Sequence, residues 1–292
     1  MDRAKTLAGV IAVVLGCGAC SHRAAVVVGS KNFTEQVVLG EIIAQHIENR
    51  LHVTVDRRLN LGGTLLAHQA LVSGEIDLYP EYTGTALAAI LKEPASSGAA
   101  AVLDRVRAEY RSRFQIEWLP PLGIDNGFAM VVRGPDARER RLATLSDAAA
   151  RPQPWTLGAG YEFEQRADGL EALKKTYQLR FASAPKSMDL GLLYQALEQK
   201  QVDIIAANAT DGLLARLDLQ VLADDRHAFP PYEVCIAARA DRLRAVPGLE
   251  AALAELAGKF TNRKMQELNY EVDGRHRPIA QVAAEFLIAA GR

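Results

Sequence analysis

"ALVSGEIDLYPEYTG", Ala70 to Gly84, lies over "ALEQKQVDIIAANAT", Ala196 to Thr210, at a constant offset of 126 residues. Ala-Leu matches Ala-Leu, Ile76-Asp77-Leu78 matches Val202-Asp203-Ile204, and Tyr82 falls on Asn208. Each copy reads as the end of a helix, a tight link, a short apolar strand and then a polar turn rich in threonine. Two such segments resemble one another by chance often enough that the echo needs support from its surroundings. Upstream, "AVVVG" (Ala25 to Gly29) is a β-branched run ending at glycine, the pattern of a buried strand. In the following "SKNFTEQVVLGEIIAQHIENR", Val38, Ile42, Ile43 and Ile47 keep helical spacing. Asn32 with Glu35 fits a capping box there, and Thr34 is a competing cap. "HVTVDRRL" is the next strand, and "GGTLLAHQALVSG" a helix that opens at Gly62 to Thr64 and closes at Gly74.

After "DNGFAMVVRG", Asp125 to Gly134, the alternation restarts. "PWTLGAG", "LRFAS", "VDIIAA", "VLADD" and "VCIAAR" read as strands; "ADGLEALKKTY" and "MDLGLLYQALEQK" read as helices. The C-terminal third is helical, with Leu249, Leu253, Leu256 and Phe260 on one face. Strands and helices exchange at intervals that favour parallel β-α-β units over hairpins. The restart and the echo together predict an α/β chain of two lobes, each presenting a strand-to-helix turn.

At 292 residues the chain is long enough for two cores, and its net charge of −1 gives no electrostatic reason to expect nucleic acid. At the N-terminus, Arg3 and Lys5 precede an uncharged stretch from Thr6 to Gly16 that is too short to span a membrane. That is the pattern of an export signal. "VLGC" (Val14 to Cys17) reads as a lipobox with Cys17 as the lipidated residue. Cys20 is a less typical second choice, and an ordinary cleaved signal with incidental cysteines is the alternative. Residues 1–20 are thus assigned to signal and anchor, which places the protein in the periplasm as a membrane-anchored lipoprotein. Cys235, the third cysteine, sits in the apolar "EVCIA" strand, so no disulfide framework can be read.

In parallel sheets ligands bind beyond the carboxyl ends of strands, where helix N-termini point free N–H groups outward. Here those turns are "SKNFTEQ", "LGGT", "PEYTGT", "YEFEQR" and "NATDG". Tyr82, Phe128 and Tyr232 offer ring faces that suit a quaternary ammonium, which cannot donate hydrogen bonds. Tyr79 and Tyr194 are assigned to the core, and Phe163 fits either role. Asp211 is a cap or a ligand contact, an ambiguity Asn32 and Thr34 share. The six histidines lack metal-ligand spacing, and there is no P-loop, G-x-G-x-x-G or G-x-S-x-G. The carboxylate pairs Asp224–Asp225 and Glu162–Glu164 read as solvated loop charge. No catalytic role, metal or cofactor is expected.

"VVVGSKNFTEQ", "LNLGGT", "EYTGT", "YEFEQRADG", "MDLGLLYQAL", "ATDG" and "FPPYE" occur in the order found in the osmoprotectant substrate-binding proteins of ABC transporters, which the chain resembles over nearly all its length after the signal. The resemblance implies a two-lobed periplasmic binding protein of type II-like topology. Its sheets would be mostly parallel, flanked by helices and joined by two crossover strands near Asp125–Phe128 and Pro230–Glu233. Residues 24–125 plus 232–292 would form lobe I and residues 126–231 lobe II. It implies a small-molecule solute of the glycine betaine, choline or carnitine class and ABC permease subunits as partners, with the chain itself a monomer. Carried over by position, the ligand-contacting residues would be Gln36, Tyr82, Asn126, Phe128, Asn208 and Tyr232, with Asn32, Thr64, Thr83, Thr210 and Asp211 completing the set. Where the choline-type cage has tyrosine, this chain has Phe128, which keeps a ring without its hydroxyl, and Asn208, which loses the ring. A different polar solute, such as an amino-acid derivative, or an exported enzyme on the same fold stay open as alternatives.

Overall fold

The computed structural model describes residues 25–93 and 98–291, so the expected export signal and the lipid attachment at Cys17 lie outside the described residues. The chain first lays down β1 (Val26–Gly29), β2 (Val55–Arg58), β3 (Leu78–Tyr82) and β4 (Ile116–Trp118). It then crosses to a second sheet made of β5 (Phe128–Arg133), β6 (Leu157–Ala159), β7 (Lys186–Ser187), β8 (Ile204–Asn208) and β9 (Leu219–Leu222). Finally β10 (Val234–Arg239) returns to the first sheet. The strand orders are β2-β1-β3-β10-β4 and β7-β6-β8-β5-β9, so the two sheets correspond strand for strand.

Four strands of each sheet run the same way, as the expected mostly parallel sheets require, and the fifth is reversed. β1 pairs in parallel with β2 and β3, and β6 with β7 and β8. The crossover strands run the other way: β10 is antiparallel to β3 and β4, and β5 to β8 and β9. A strand that arrives straight from the opposite lobe needs no helical return, so nothing forces it to be parallel.

The repeated segment proves to be a repeated structure, because β3 and β8 begin and end 126 residues apart. The Asp77 amide donates to the Val27 carbonyl at 2.8 Å and its carboxylate accepts from the Val27 amide at 2.8 Å. Asp203 does the same to Thr156, at 2.8 Å and 3.0 Å. An aspartate at the start of each central strand therefore clamps the neighbouring parallel strand at both its donor and its acceptor.

Alternation along β3 and β10 sends side chains to two cores, one on each face. Val28, Leu78, Val234 and Ile236 pack against the long helix Thr34–Leu51. Tyr79, Cys235 and Ala237 pack on the other side with Val102 and Val106 of the helix Ala99–Phe114. Tyr79 is thus a core residue, as its strand position suggested, and burial pushes the Cys235 thiol up to about 12. Two local expectations fail. "LRFAS" forms only a bridge between Trp155 and Phe181, the sheet edge being taken by Lys186–Ser187. The last strand of the second sheet begins at Leu219 and ends before Ala223, because its register follows β5.

Both crossings run side by side at the end of β3. Asp125 and Glu233 form an antiparallel bridge, and the Asn126 amide donates to the Tyr232 carbonyl at 3.1 Å. The Thr83 amide donates to the Glu233 carbonyl at 3.0 Å, while the Thr83 hydroxyl accepts from the Glu233 amide at 3.1 Å. Gly84 follows because space runs out: a Cβ there would lie 2.6 Å from the Pro231 carbonyl oxygen.

Candidate functional site

Between the lobes, where β3 and β8 end and the crossings pass, lies a cavity of about 770 Å³. That volume is in the range of small-molecule sites. Ring side chains supply much of its wall. Phe33 stacks on Tyr82 at 6.2 Å, and Phe128 meets Phe163, Phe229 and Tyr232 edge-on at 4.9, 5.7 and 5.7 Å.

The first helix places an acid at the centre. Its N-cap is Phe33, with no side-chain capping bond, so the Asn32–Glu35 capping box is not made. Thr34 does not cap either; its hydroxyl donates to Asp273 at 2.6 Å. Glu35 turns inward instead. One carboxylate oxygen accepts from the Tyr82 hydroxyl at 2.6 Å and the Asn126 amide at 2.8 Å, and the other accepts from the Thr210 hydroxyl. Burial raises this carboxyl above its usual range, and the bonds from Thr210, Tyr82 and Asn126 pull part of that back. Glu35 thus gathers donors from β3, from the first crossing and from the turn after β8.

Lys31 and Arg166 bring positive charge to the wall. The Lys31 ammonium, on a residue 2% exposed, pairs with Glu81 at 2.6 Å, donates to the Thr64 hydroxyl at 3.2 Å and lies 4.8 Å from the Tyr82 ring centre. Tyr79 donates to the other oxygen of Glu81 at 2.7 Å. The Arg166 guanidinium sits over Phe128 at 5.0 Å and Tyr232 at 5.6 Å. Asp168 holds it with two bonds, of 2.9 and 2.5 Å, and accepts from the Tyr232 hydroxyl at 2.7 Å. Ring faces that the sequence offered to a solute's cation therefore already carry the protein's own.

Of the residues singled out from the sequence, Asn32, Tyr82, Asn126, Phe128, Asn208, Asp211 and Tyr232 line the cavity. Gln36 is fully buried behind it, accepting from the Lys31 amide at 3.2 Å. Thr64 is bonded to Lys31 and Glu162, Thr83 belongs to the crossing, and Thr210 is bonded to Glu35. Tyr194 is buried among Leu193, Leu197 and Ile205, yet it also reaches the cavity and donates to Asp211 at 2.8 Å. Asp211 accepts from the Asn208 amide at 3.1 Å as well, and burial pushes its carboxyl up to about 6. Phe163, which fitted either role, is buried and also lines the wall. Among the lining residues not foreseen are the charged ones Lys31, Glu35, Glu162 and Arg166. Glu162, read as solvated charge, accepts from the Thr64 amide at 2.6 Å and from its hydroxyl at 3.1 Å. Among the described residues, no group of three His, Cys, Asp or Glu could hold a metal ion.

Two matched α/β lobes around a ring-lined cleft define a protein that encloses a small solute. Residues 24–289 match the family described as the substrate binding domain of ABC-type glycine betaine transport systems, and the chain belongs to that family. It is 33% identical over 262 residues to the carnitine transport binding protein OpuCC of Listeria monocytogenes, covering 89% of this chain and 85% of that one. It is also 33% identical over 266 residues to the ergothioneine transport permease/ergothioneine binding protein EgtU of Helicobacter pylori; this match covers 91% of the chain but 47% of the relative, about half its length. Among solved structures, a glycine betaine/carnitine/choline ABC transporter protein superposes with a TM-score of 0.78 at 31% identity, over 90% of this chain and 98% of that one.

Proposed function

We propose that this chain captures a small zwitterionic or cationic solute outside the cytoplasmic membrane and hands it to an ABC permease. The observation that carries this reading is the composition of the 770 Å³ cavity, which sets rings, acids and bases around one inter-lobe space. The acids Glu35 and Asp211 favour a cationic group at the end of the cavity where Tyr82 and Phe33 stand. Lys31, Arg166 and the N-terminal amide of the helix Thr64–Ser73 favour an anionic group beside them. The ligand set is Asn32, Tyr82, Asn126, Phe128, Asn208, Asp211 and Tyr232, with Gln36, Thr64, Thr83 and Thr210 shaping it from behind. The lobes are residues 24–125 with 232–292 and residues 126–231, closing about the paired crossings. The basic-then-apolar leader supports export, with a lipid at Cys17 holding a monomer near its permease. The chemistry is binding alone, with no catalytic step.

Because Arg166 covers Phe128 and Tyr232, and Asn208 stands where a ring is otherwise expected, a solute more polar than choline is also favoured. A thermal-shift panel of glycine betaine, choline, carnitine and ergothioneine separates these readings, since a ligand at 100 times its Kd adds about 2.7 kcal/mol of stability. For whichever solute shifts the transition most, Tyr82→Ala is expected to weaken binding about tenfold or more by calorimetry, and Tyr82→Phe far less. Unchanged affinity in folded Tyr82→Ala would refute the placement.

A further inference from the structure

The helix Thr64–Ser73 has glycine at its N-cap and no capping side chain of its own. Its first free N–H is satisfied from across the cleft. Glu162, in the short helix Tyr161–Gln165 of the opposite lobe, sets one oxygen 2.6 Å from the Thr64 amide and the other 3.1 Å from the Thr64 hydroxyl. The approach is close enough that a Cβ on Gly63 would lie 2.6 Å from the same carboxylate oxygen. Lys31 shares the Thr64 hydroxyl at 3.2 Å, and Arg166 reaches Glu162 at 3.6 Å. Burial would raise the Glu162 carboxyl, but Lys31, the Thr64 amide, Arg166 and the Thr64 hydroxyl together hold it below its usual value. Glu162 is therefore an anion on the very seat that the bases of the wall and the helix N-terminus build.

Resting on the solute reading above, we propose that Glu162 is an internal competitor for the solute's anionic group: it fastens the two lobes by capping the Thr64–Ser73 helix, and a carboxylate-bearing solute must displace it. Two consequences follow from the same two bonds. Protein lacking solute is held partly shut by Glu162, because the tie needs no guest. A solute without a carboxylate leaves Glu162 in place, so the residue sets preference between zwitterions and plain cations.

The test compares the parent with Glu162→Ala and, as a milder change of similar size, Glu162→Gln, each checked for folding by circular dichroism. Small-angle scattering on the solute-free proteins is expected to give a larger radius of gyration for Glu162→Ala; equal radii overturn the fastening. Calorimetry with glycine betaine and with choline is expected to show the affinity ratio, betaine over choline, rising about tenfold in Glu162→Ala. A ratio that stays the same or falls overturns the competition. If the parent binds none of glycine betaine, choline, carnitine and ergothioneine, the solute reading fails, while the scattering result still decides the fastening by itself.

Discussion

At Asp211, burial lifts the carboxyl to about 6 from 3.8. The folded protein then keeps this proton after the unfolded chain has released it. Its contribution to stability is whole below pH about 4 and is lost as pH rises to about 6. Asp211→Asn removes that titration, so the Tm of the variant minus that of the parent should grow more positive between pH about 4 and about 7. A difference that stays flat across that range overturns the assignment of Asp211 as a buried, proton-holding acid. Glu35 is the residue the sequence concealed. Its place three residues after Asn32 reads as a cap, while the donors that claim it, Asn126 and Thr210, lie 91 and 175 residues away. Lys31, Glu162 and Arg166 were hidden for a like reason: a charged residue at a turn looks solvated until partners distant in sequence arrive, Glu81 for Lys31, Thr64 for Glu162 and Tyr232 for Arg166. Rings were easier to place, because Tyr82 ends its strand at a turn and Tyr232 stands in a connecting segment, where nothing local needs an aromatic.

The strands carry the clearest agreement between sequence and structure. The 126-residue echo resolves into β3 and β8, each opened by an aspartate that binds the neighbouring strand's backbone. What one segment could not show was strand direction, since pairing is decided by where a partner comes from rather than by its own residues. Asp77 is the more buried of the two clamps, with its side chain 9% exposed against 37% for Asp203. Asp77→Ala leaves the Val27 amide without its acceptor and should cost about 1–3 kcal/mol in urea unfolding. Asp203→Ala should cost less, and the double variant should equal the sum, because the two sites share no partner. A double variant no worse than the weaker single one would contradict two independent clamps.

For the molecule as a whole, the binding act depends on how the crossings move, and Gly84 is where they meet the first lobe. A methyl there would press on the Pro231 carbonyl at 2.6 Å and the Tyr232 ring at 2.8 Å. Gly84→Ala is expected to cost about 1–3 kcal/mol of stability by overpacking and, by shifting Tyr232, to weaken solute binding. Parent-like stability and affinity would show that the crossings yield freely at this point. The bridge between Asp125 and Glu233 has a separate consequence. Everything between them leaves and re-enters through one doorway, so the second sheet and its helices form an insert whose two ends touch. Such an insert can be cut out, exchanged for that of a relative, or opened at its doorway to give new chain ends, without rerouting a strand of the first sheet.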